Sequence, residues 1–371
     1  MKNKTVVGVL FGGKSAEHEI SLLSAKNVYE AIDRTLFEPV LIGIDKTGRW
    51  RLFDAKQFLL NADNPSLVSL NSGGKPVVLR TENSGLFSAE NAGNVPLDVV
   101  FPILHGPFGE DGTIQGFLKL ADIPFVGPGV LGSAVGMDKD VMKRLLRDAG
   151  IPIGKFISLK SHEYVPSFAE IEKTLGKPFF IKPANMGSSV GINKVRNEKE
   201  YTAALNDAFQ YDTKIIIEEY IRGREIECAV LGNEEPAVSA PGEIIPSHEF
   251  YSYNAKYLDE KGASFEIPAK LNEETKKRVQ DTAVKVFQAL CCEGLSRVDF
   301  FLKENGELIV NEINTMPGFT IISMFPKMWE ASGISYTELI TRLIKLAVSR
   351  HEKESKLKTS VVSHNLQEIN S

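Results

Sequence analysis

Two segments near the carboxyl end carry acids, an amide and an arginine at spacings suited to a cation. Arg297-Val298-Asp299-Phe300-Phe301-Leu302 and Glu307 to Asn314 (ELIVNEIN) flank the turn Lys303-Glu304-Asn305-Gly306. If the turn closes with Leu302 opposite Glu307, Arg297 faces Glu312 and Asp299 faces Val310. Alternation along each strand then puts Arg297, Asp299, Glu312 and Asn314 on one face, backed by Val298, Phe300 and Ile313. Carboxylate and amide oxygens on such a frame suit Mg²⁺, which leaves positions open for phosphates. A solvated hairpin face is the plainer alternative, but Asp, Glu and Asn together before Pro317-Gly318 favour the metal.

Other segments could handle phosphate. Lys182 to Gly191 (KPANMGSSVG) is a Gly/Ser-rich loop between strand signals, able to bend over a triphosphate with its amides and hydroxyls or to serve as a simple hairpin turn. Lys139 reads as a phosphate ligand or a solvated helix charge. Gly8 to Ser15 fits the P-loop pattern GxxxxGK[ST], but Val9, Leu10 and Phe11 read as strand interior where a cradle needs loop. What survives there is a glycine turn at a helix start, with Glu17 and His18 in the first turn. Glu218-Glu219-Tyr220-Ile221 ends an apolar strand and Glu225 follows Gly223; a peptide edge there could meet a purine and a carboxylate a ribose. Pro246 to Pro268 is a long polar loop bearing aromatic residues, suited to a lid or to plain surface.

The elements that must hold these groups follow from periodicity. Thr5 to Phe11 and Phe37 to Ile44 read as strands around a helix with Ile20, Leu23, Val28, Ala31 and Ile32 on one face, a parallel unit. Leu97 to Leu104 is a further strand delivering His105 to Gly112 to the same sheet end, and Ile123 to Gly127 a last short one. Residues 50–95, rich in Asn, Ser and Gly, read as a less regular insertion. A helix over 138–149, strands near Phe156, Phe179 and Ile192, and a helix between Ser167 and Leu175 suggest a smaller α+β domain. A third region opens with Lys214 to Tyr220 and runs to a helix ending near Arg350. The polar tail 351–371 is expected to be loosely ordered.

The chain has 371 residues, 43% apolar and 25% charged, with net charge −5, the profile of a soluble globular protein of two or three domains. Net negative charge argues against a nucleic-acid binder working by bulk positive charge. Three cysteines without paired spacing suggest a reducing compartment. No stretch reads as a secretory signal or a membrane span, so a cytoplasmic protein without a membrane partner is expected.

Taken in order, GGKSAEHEISL, HGPFGEDGTIQG, MDK, KPANMGSSVG, IIEEYIRGREIE, NAKY, RVDFF and NEINTMPGFT resemble the D-alanine–D-alanine ligases of the ATP-grasp superfamily over nearly the whole chain. The resemblance implies an α/β and α+β, three-domain ATP-grasp architecture. An N-terminal parallel-sheet domain (1–128) would bind the first amino acid and take part in a homodimer. A central domain (129–217) and a C-terminal domain (218–350) would grip ATP, ahead of the tail 351–371. Lys139 and Lys182 would hold the α- and β-phosphates, with Ser189 among the nucleotide contacts and Lys256 reaching the γ-phosphate from the lid. The backbone of Glu218, Glu219, Tyr220 and Ile221 would meet adenine, and Glu225 the ribose. Asp299, Glu312 and Asn314 would bind two Mg²⁺ ions, which Mn²⁺ could replace. Glu17, Ser188 and Tyr257 would orient the first D-alanine, near His105. Ser323 and the Met324 backbone would anchor the second substrate, while the Gly318 amide and Arg297 stabilise the oxyanion. Lys256-Tyr257 favours D-alanine as nucleophile over D-lactate; a sister ligase with an altered nucleophile, such as D-lactate or D-serine, is the second reading, and a P-loop nucleotide switch the alternative of another class.

Overall fold

The computed structural model describes residues 4–62, 64–65, 67–80, 85–88, 94–246 and 263–359. β1 (Thr5–Gly12), α1 (His18–Ala31) and β2 (Phe37–Ile44) form the expected parallel unit. Val9, Leu10 and Phe11 are fully buried in β1, so no phosphate cradle starts at Gly8. The insertion is more regular than its composition suggests. It supplies β3 (Trp50–Phe53), the small pair β4 (Leu59–Leu60) and β5 (Ser69–Leu70), β6 (Lys75–Arg80), β7 (Gly85–Ser88) and β8 (Asn94–Pro96). With β9 (Val99–Ile103) they give a seven-stranded sheet ordered β8-β7-β6-β3-β2-β1-β9. Only β2, β1 and β9 run parallel; β3 and β6 to β8 are antiparallel. The expected parallel sheet is therefore mixed: β2 and β3, like β6 and β7, are successive strands without room for a crossover helix between them and so pair antiparallel, and β6 joins β3 in the same sense. The short strand expected at 123–127 is reduced to one parallel bridge, Val100 to Phe125.

Helices α2 (Thr113–Leu120), α3 (Val130–Met137) and α4 (Lys139–Asp148) lead out of this layer. Asp138 caps α4 by accepting the Val141 N–H at 3.1 Å, which sets Lys139 and Lys143 one turn apart on its buried side. Next come β10 (Phe156–Lys160), α5 (Phe168–Leu175), β11 (Phe179–Pro183), β12 (Asn193–Val195), α6 (Glu198–Ala208) and β13 (Lys214–Glu219). The sheet order is β10-β13-β11-β12, so the strand expected to open a third region lies inside the second sheet.

The last layer holds β14 (Arg224–Gly232), β15 (Ala237–Val238), β16 (Gly242–Pro246), β17 (Ala263–Glu266), α7 (Glu273–Ala289), β18 (Gly294–Leu302), β19 (Leu308–Asn314), α8 (Met324–Ala331) and α9 (Tyr336–Glu354). Its strands run β17-β16-β14-β18-β19. The β18–β19 hairpin corrects the expected register. Lys303 N–H bonds to the Glu307 carbonyl at 2.9 Å, which makes Leu302 face Leu308. A bulge at Asn311 then adds a second residue of slip, bringing Asp299 opposite Glu312 and Arg297 opposite Asn314. Two single-residue slips restore the original face, so the four polar side chains still share it.

One hydrophobic cluster joins the first and last layers. Phe101 of β9 meets Phe319 edge-on at 5.6 Å, and Phe319 packs on Phe325 at 5.4 Å. All three rings are buried. This contact fixes residues 315–320 against the N-terminal sheet; truncating such a ring to alanine costs about 3–5 kcal/mol.

Candidate active site

A cavity of about 210 Å³ opens between the second and third sheets, lined by Lys139, Lys143, Lys182, Ser188, Ser189, Glu218, Glu219, Tyr220, Ile221, Glu225 and Glu312. Its floor is a buried charge cluster. Glu218 pairs with Lys143 at 2.6 Å and with Lys182 on its other oxygen. Burial pushes the Glu218 carboxyl up, but the two ammonium groups outweigh it and hold it down at about 2. Burial likewise works against the Lys182 ammonium, yet Glu218 and Glu312 together raise its pKa. Lys139 goes the other way: burial lowers it, and the 3.9 Å contact with Glu312 only partly compensates. Buried ammonium groups lining the cavity are charge-assisted donors of the kind an anionic phosphate chain takes.

The Gly/Ser-rich loop between β11 and β12 is held at several points. Asp212 accepts from the Asn185 backbone at 2.8 Å and from its side chain at 2.9 Å, and Lys139 donates to the Met186 carbonyl at 2.6 Å. Ser188 and Ser189 both adopt positive φ, 50° and 62°, a conformation non-glycine residues keep only where surroundings impose it. Ser188 donates its hydroxyl to Glu17, at the start of α1. Glu17 is 6% exposed, and a Cβ at Gly106 would come within 2.5 Å of its Oε2, so this carboxylate sits in a fitted pocket.

A second cavity, about 110 Å³, continues from the first and shares Gly187, Ser188 and Glu312 with it. Glu17, His105, Arg297, Asn314, Gly318, Ser323 and Met324 line it. His105 is buried, with Nδ1 3.1 Å from the Met316 carbonyl and Nε2 3.2 Å from Ser24 Oγ. A carbonyl only accepts, so Nδ1 carries the proton; burial pulls the pKa down to about 4. Ser323 Oγ accepts the Thr320 N–H at 3.0 Å and opens α8. A Cβ on Gly318 would lie 2.7 Å from that oxygen, so a larger residue there would have to displace the Ser323 hydroxyl from its bond to Thr320.

Across the hairpin face, Arg297 donates to both oxygens of Asp299 at 2.7 Å, and Asn314 Nδ2 donates to Asp299 Oδ2 at 2.9 Å. Burial works against the guanidinium, but Asp299 and Glu227 raise its pKa well above the ordinary value. Among the described residues no cluster of three or more His, Cys, Asp or Glu is arranged to hold a metal. Two carboxylates and an amide are what an ion sharing its shell with phosphates and water needs, so the donor set fits Mg²⁺ as a partner of bound nucleotide.

The sequence-selected residues thus fall into two adjoining cavities, Asp299 lying just behind Arg297 and Asn314. Lys256 and Tyr257 lie outside the described residues. Three groups were not singled out in the sequence. Lys143 stands four residues after Lys139 on an amphipathic helix, a signal that could have found it. Glu110, inside HGPFGEDG, accepts from Gly106 N at 2.7 Å and Met316 N at 3.1 Å, tying the first layer to the last. Burial, reinforced by the Glu17 carboxylate, raises its pKa to about 8. Glu227 alternates with Glu225 along β14 and lies 3.0 Å from Arg297 Nε.

The chain is similar to known proteins over nearly its whole length. The family models described as D-ala D-ala ligase N-terminus and C-terminus match residues 6–128 and 145–345. A D-alanine–D-alanine ligase of Shouchella clausii (strain KSM-K16) is 55% identical over 366 residues, 98% of this chain and 100% of that relative. The D-alanine-D-alanine ligase of Coxiella burnetii superposes with a TM-score of 0.84 at 38% identity, covering 95% of this chain and 96% of its own. The VanG D-Ala:D-Ser ligase of Enterococcus faecalis does so with a TM-score of 0.81 at 39% identity, covering 93% and 100%. With two family models spanning most of its length and relatives above half identity, the chain belongs to the D-alanine–D-alanine ligase family.

Proposed function

We propose that the chain joins two D-alanine molecules at the expense of ATP, giving D-alanyl-D-alanine, ADP and phosphate for peptidoglycan precursor synthesis. The observation that carries this reading is the junction of the two cavities at Ser188 and Glu312, which lets a nucleotide on one side meet an amino acid on the other. A carboxylate resists an amine because its oxygen is a poor leaving group. Transfer of the γ-phosphoryl to the first D-alanine carboxylate forms an acyl phosphate and releases ADP. The second amine then attacks the carbonyl, the C–N bond forms, phosphate leaves and the amine proton goes to solvent or phosphate.

The residues divide this work. Lys139 and Lys182 neutralise the α- and β-phosphates, with Ser189 on the phosphate loop. The Glu218–Ile221 backbone meets adenine and Glu225 takes the ribose. Glu17 holds the first ammonium and Ser188 secures Glu17, with Tyr257 as third member of the trio and His105 close by. Ser323 and the N-terminal amide of α8 at Met324 anchor the second carboxylate. Arg297 and the Gly318 amide stabilise the tetrahedral oxyanion. Lys256 would reach the γ-phosphate, and water must be kept from the site because it would hydrolyse the acyl phosphate. Asp299, Glu312 and Asn314 would hold two Mg²⁺ ions, with Mn²⁺ as a substitute, and the ions would neutralise phosphoryl charge.

This reading divides the chain at 1–128, 129–217 and 218–350, with the tail 351–371, as a cytoplasmic homodimer through the N-terminal domain. Exposed Phe117 and Leu120 on α2 support such an interface. The likeness to a D-Ala:D-Ser ligase keeps a sister ligase as the second reading. Asp299→Asn and Glu312→Gln test the site: each is expected to lose Mn²⁺ binding in the presence of ADP and to lose turnover. Full activity in both would overturn the metal assignment.

A further inference from the structure

The polar face of the last sheet has a third row. Glu227 on β14 lies opposite Asp299 on β18, which in turn lies opposite Glu312 on β19. Glu227 is 4% exposed and lines the substrate cavity, not the nucleotide cavity. Its Oε2 is 3.0 Å from Arg297 Nε, the same nitrogen that donates to Asp299 Oδ1 at 2.7 Å. Arg297 Nη2 is committed to Asp299 Oδ2, which also receives Asn314 Nδ2. In this arrangement Asp299 has both oxygens engaged by the protein.

A cation taken up by Asp299 competes with Arg297 for the carboxylate's charge, while the guanidinium keeps N–H groups not used on Asp299 for an oxyanion. Drawing Asp299 away would, without another partner, strip a buried guanidinium of its counter-charge, which is strongly unfavourable. We infer that Glu227 is a positioning residue for the ligation: it keeps Arg297 by Nε when Asp299 turns to the cation, and so holds the guanidinium in place for the tetrahedral oxyanion. In this role Glu227 acts through Arg297. The inference rests on the roles given to Asp299 and Arg297 under the proposed function.

The test uses the full-length enzyme with Mn²⁺ as probe, free Mn²⁺ being read by electron paramagnetic resonance in the presence of saturating ADP. Glu227→Gln is expected to weaken Mn²⁺ about tenfold and to lower kcat about tenfold, with KM for ATP unchanged. Arg297→Ala releases Asp299, so Mn²⁺ binding there stays at least as tight as in the wild type. Adding Glu227→Gln to Arg297→Ala is expected to change neither Mn²⁺ affinity nor kcat further. If Glu227→Gln does not fold, Glu227→Asp takes its place with the same non-additivity expected. Wild-type Mn²⁺ affinity in the single variant, or an equal further loss in the double variant, overturns the inference. Asp299→Asn serves as the control: if it keeps wild-type Mn²⁺ affinity, the metal assignment fails instead.

Discussion

Replacing Glu218 by glutamine removes the one carboxylate held between Lys143 and Lys182 at the floor of the nucleotide cavity. Its carboxyl stands at about 2, against an ordinary 4.5, because the two lysines overcome the effect of burial. At about 1.4 kcal/mol per factor of ten, that gap contributes about 3 kcal/mol of folding stability at neutral pH. A lowered carboxyl pKa acts in a defined direction: the contribution is present above pH 4.5 and fades as pH falls toward 2. The figure agrees with the usual cost of breaking a buried ion pair, about 3–5 kcal/mol. For a cooperative unit of roughly 200 residues the melting temperature should fall by about 6–12 °C. ADP should then recover more stability in Glu218→Gln than in the wild type, since its phosphates supply the anionic partner that Lys182 has lost. Differential scanning fluorimetry at pH 7.5, with and without saturating ADP, reads both effects. A loss under 2 °C, or an ADP shift no larger than wild type, would refute the electrostatic account of this floor.

Two further expectations follow from the same geometry. Lys14, whose Nζ lies 5.7 Å from the Phe108 ring and outside the nucleotide cavity, should tolerate alanine with KM for ATP unchanged. Lys182→Ala should raise that KM by about 10–100-fold, as loss of a charge-assisted phosphate contact does; equal effects of the two changes would revive a P-loop. His105 and Glu110 give opposite pH slopes. His105, down at about 4, adds stability that is complete above pH 6.5 and lost toward pH 4. Glu110, raised to about 8, favours the folded state at pH 4.5 and progressively less up to pH 8. The melting temperature of Glu110→Gln minus that of wild type should therefore climb by several degrees between pH 5 and 8, and a flat or falling difference would contradict the buried setting of that carboxyl.

The polar face of the β18–β19 hairpin was legible because strand alternation has period two. It survives any even slip, while the closing bond at Lys303 and the bulge at Asn311 each shift pairing by one and have no sequence signature of that resolution. The antiparallel half of the first sheet was not legible, since its strands at 50–53 and 75–80 are short and separated by polar turns with little alternation. Strand β13 reads equally well as the start of one region or the end of another; only its pairing with Phe156–Lys160 and Phe179–Pro183 decides. Glu110 and Glu227 escaped notice for a related reason. Each is one acid among many in the sequence, and only tertiary packing delivers Met316 to the first and Arg297 to the second. The motif residues Lys139, Lys182, Ser188 and Glu312 were legible because their types, in that order, suit phosphate and metal chemistry, and they come together around the same cavity.

The central claim concerns what the joined cavities make, and product identification by mass spectrometry tests it most directly. The purified protein is given ATP, Mg²⁺, D-alanine and an equal amount of D-lactate near neutral pH. D-alanyl-D-alanine as the main product, with one ADP per dipeptide, is the predicted result. A main product of D-alanyl-D-lactate, or no ATP-dependent product even with D-alanine alone, would contradict it.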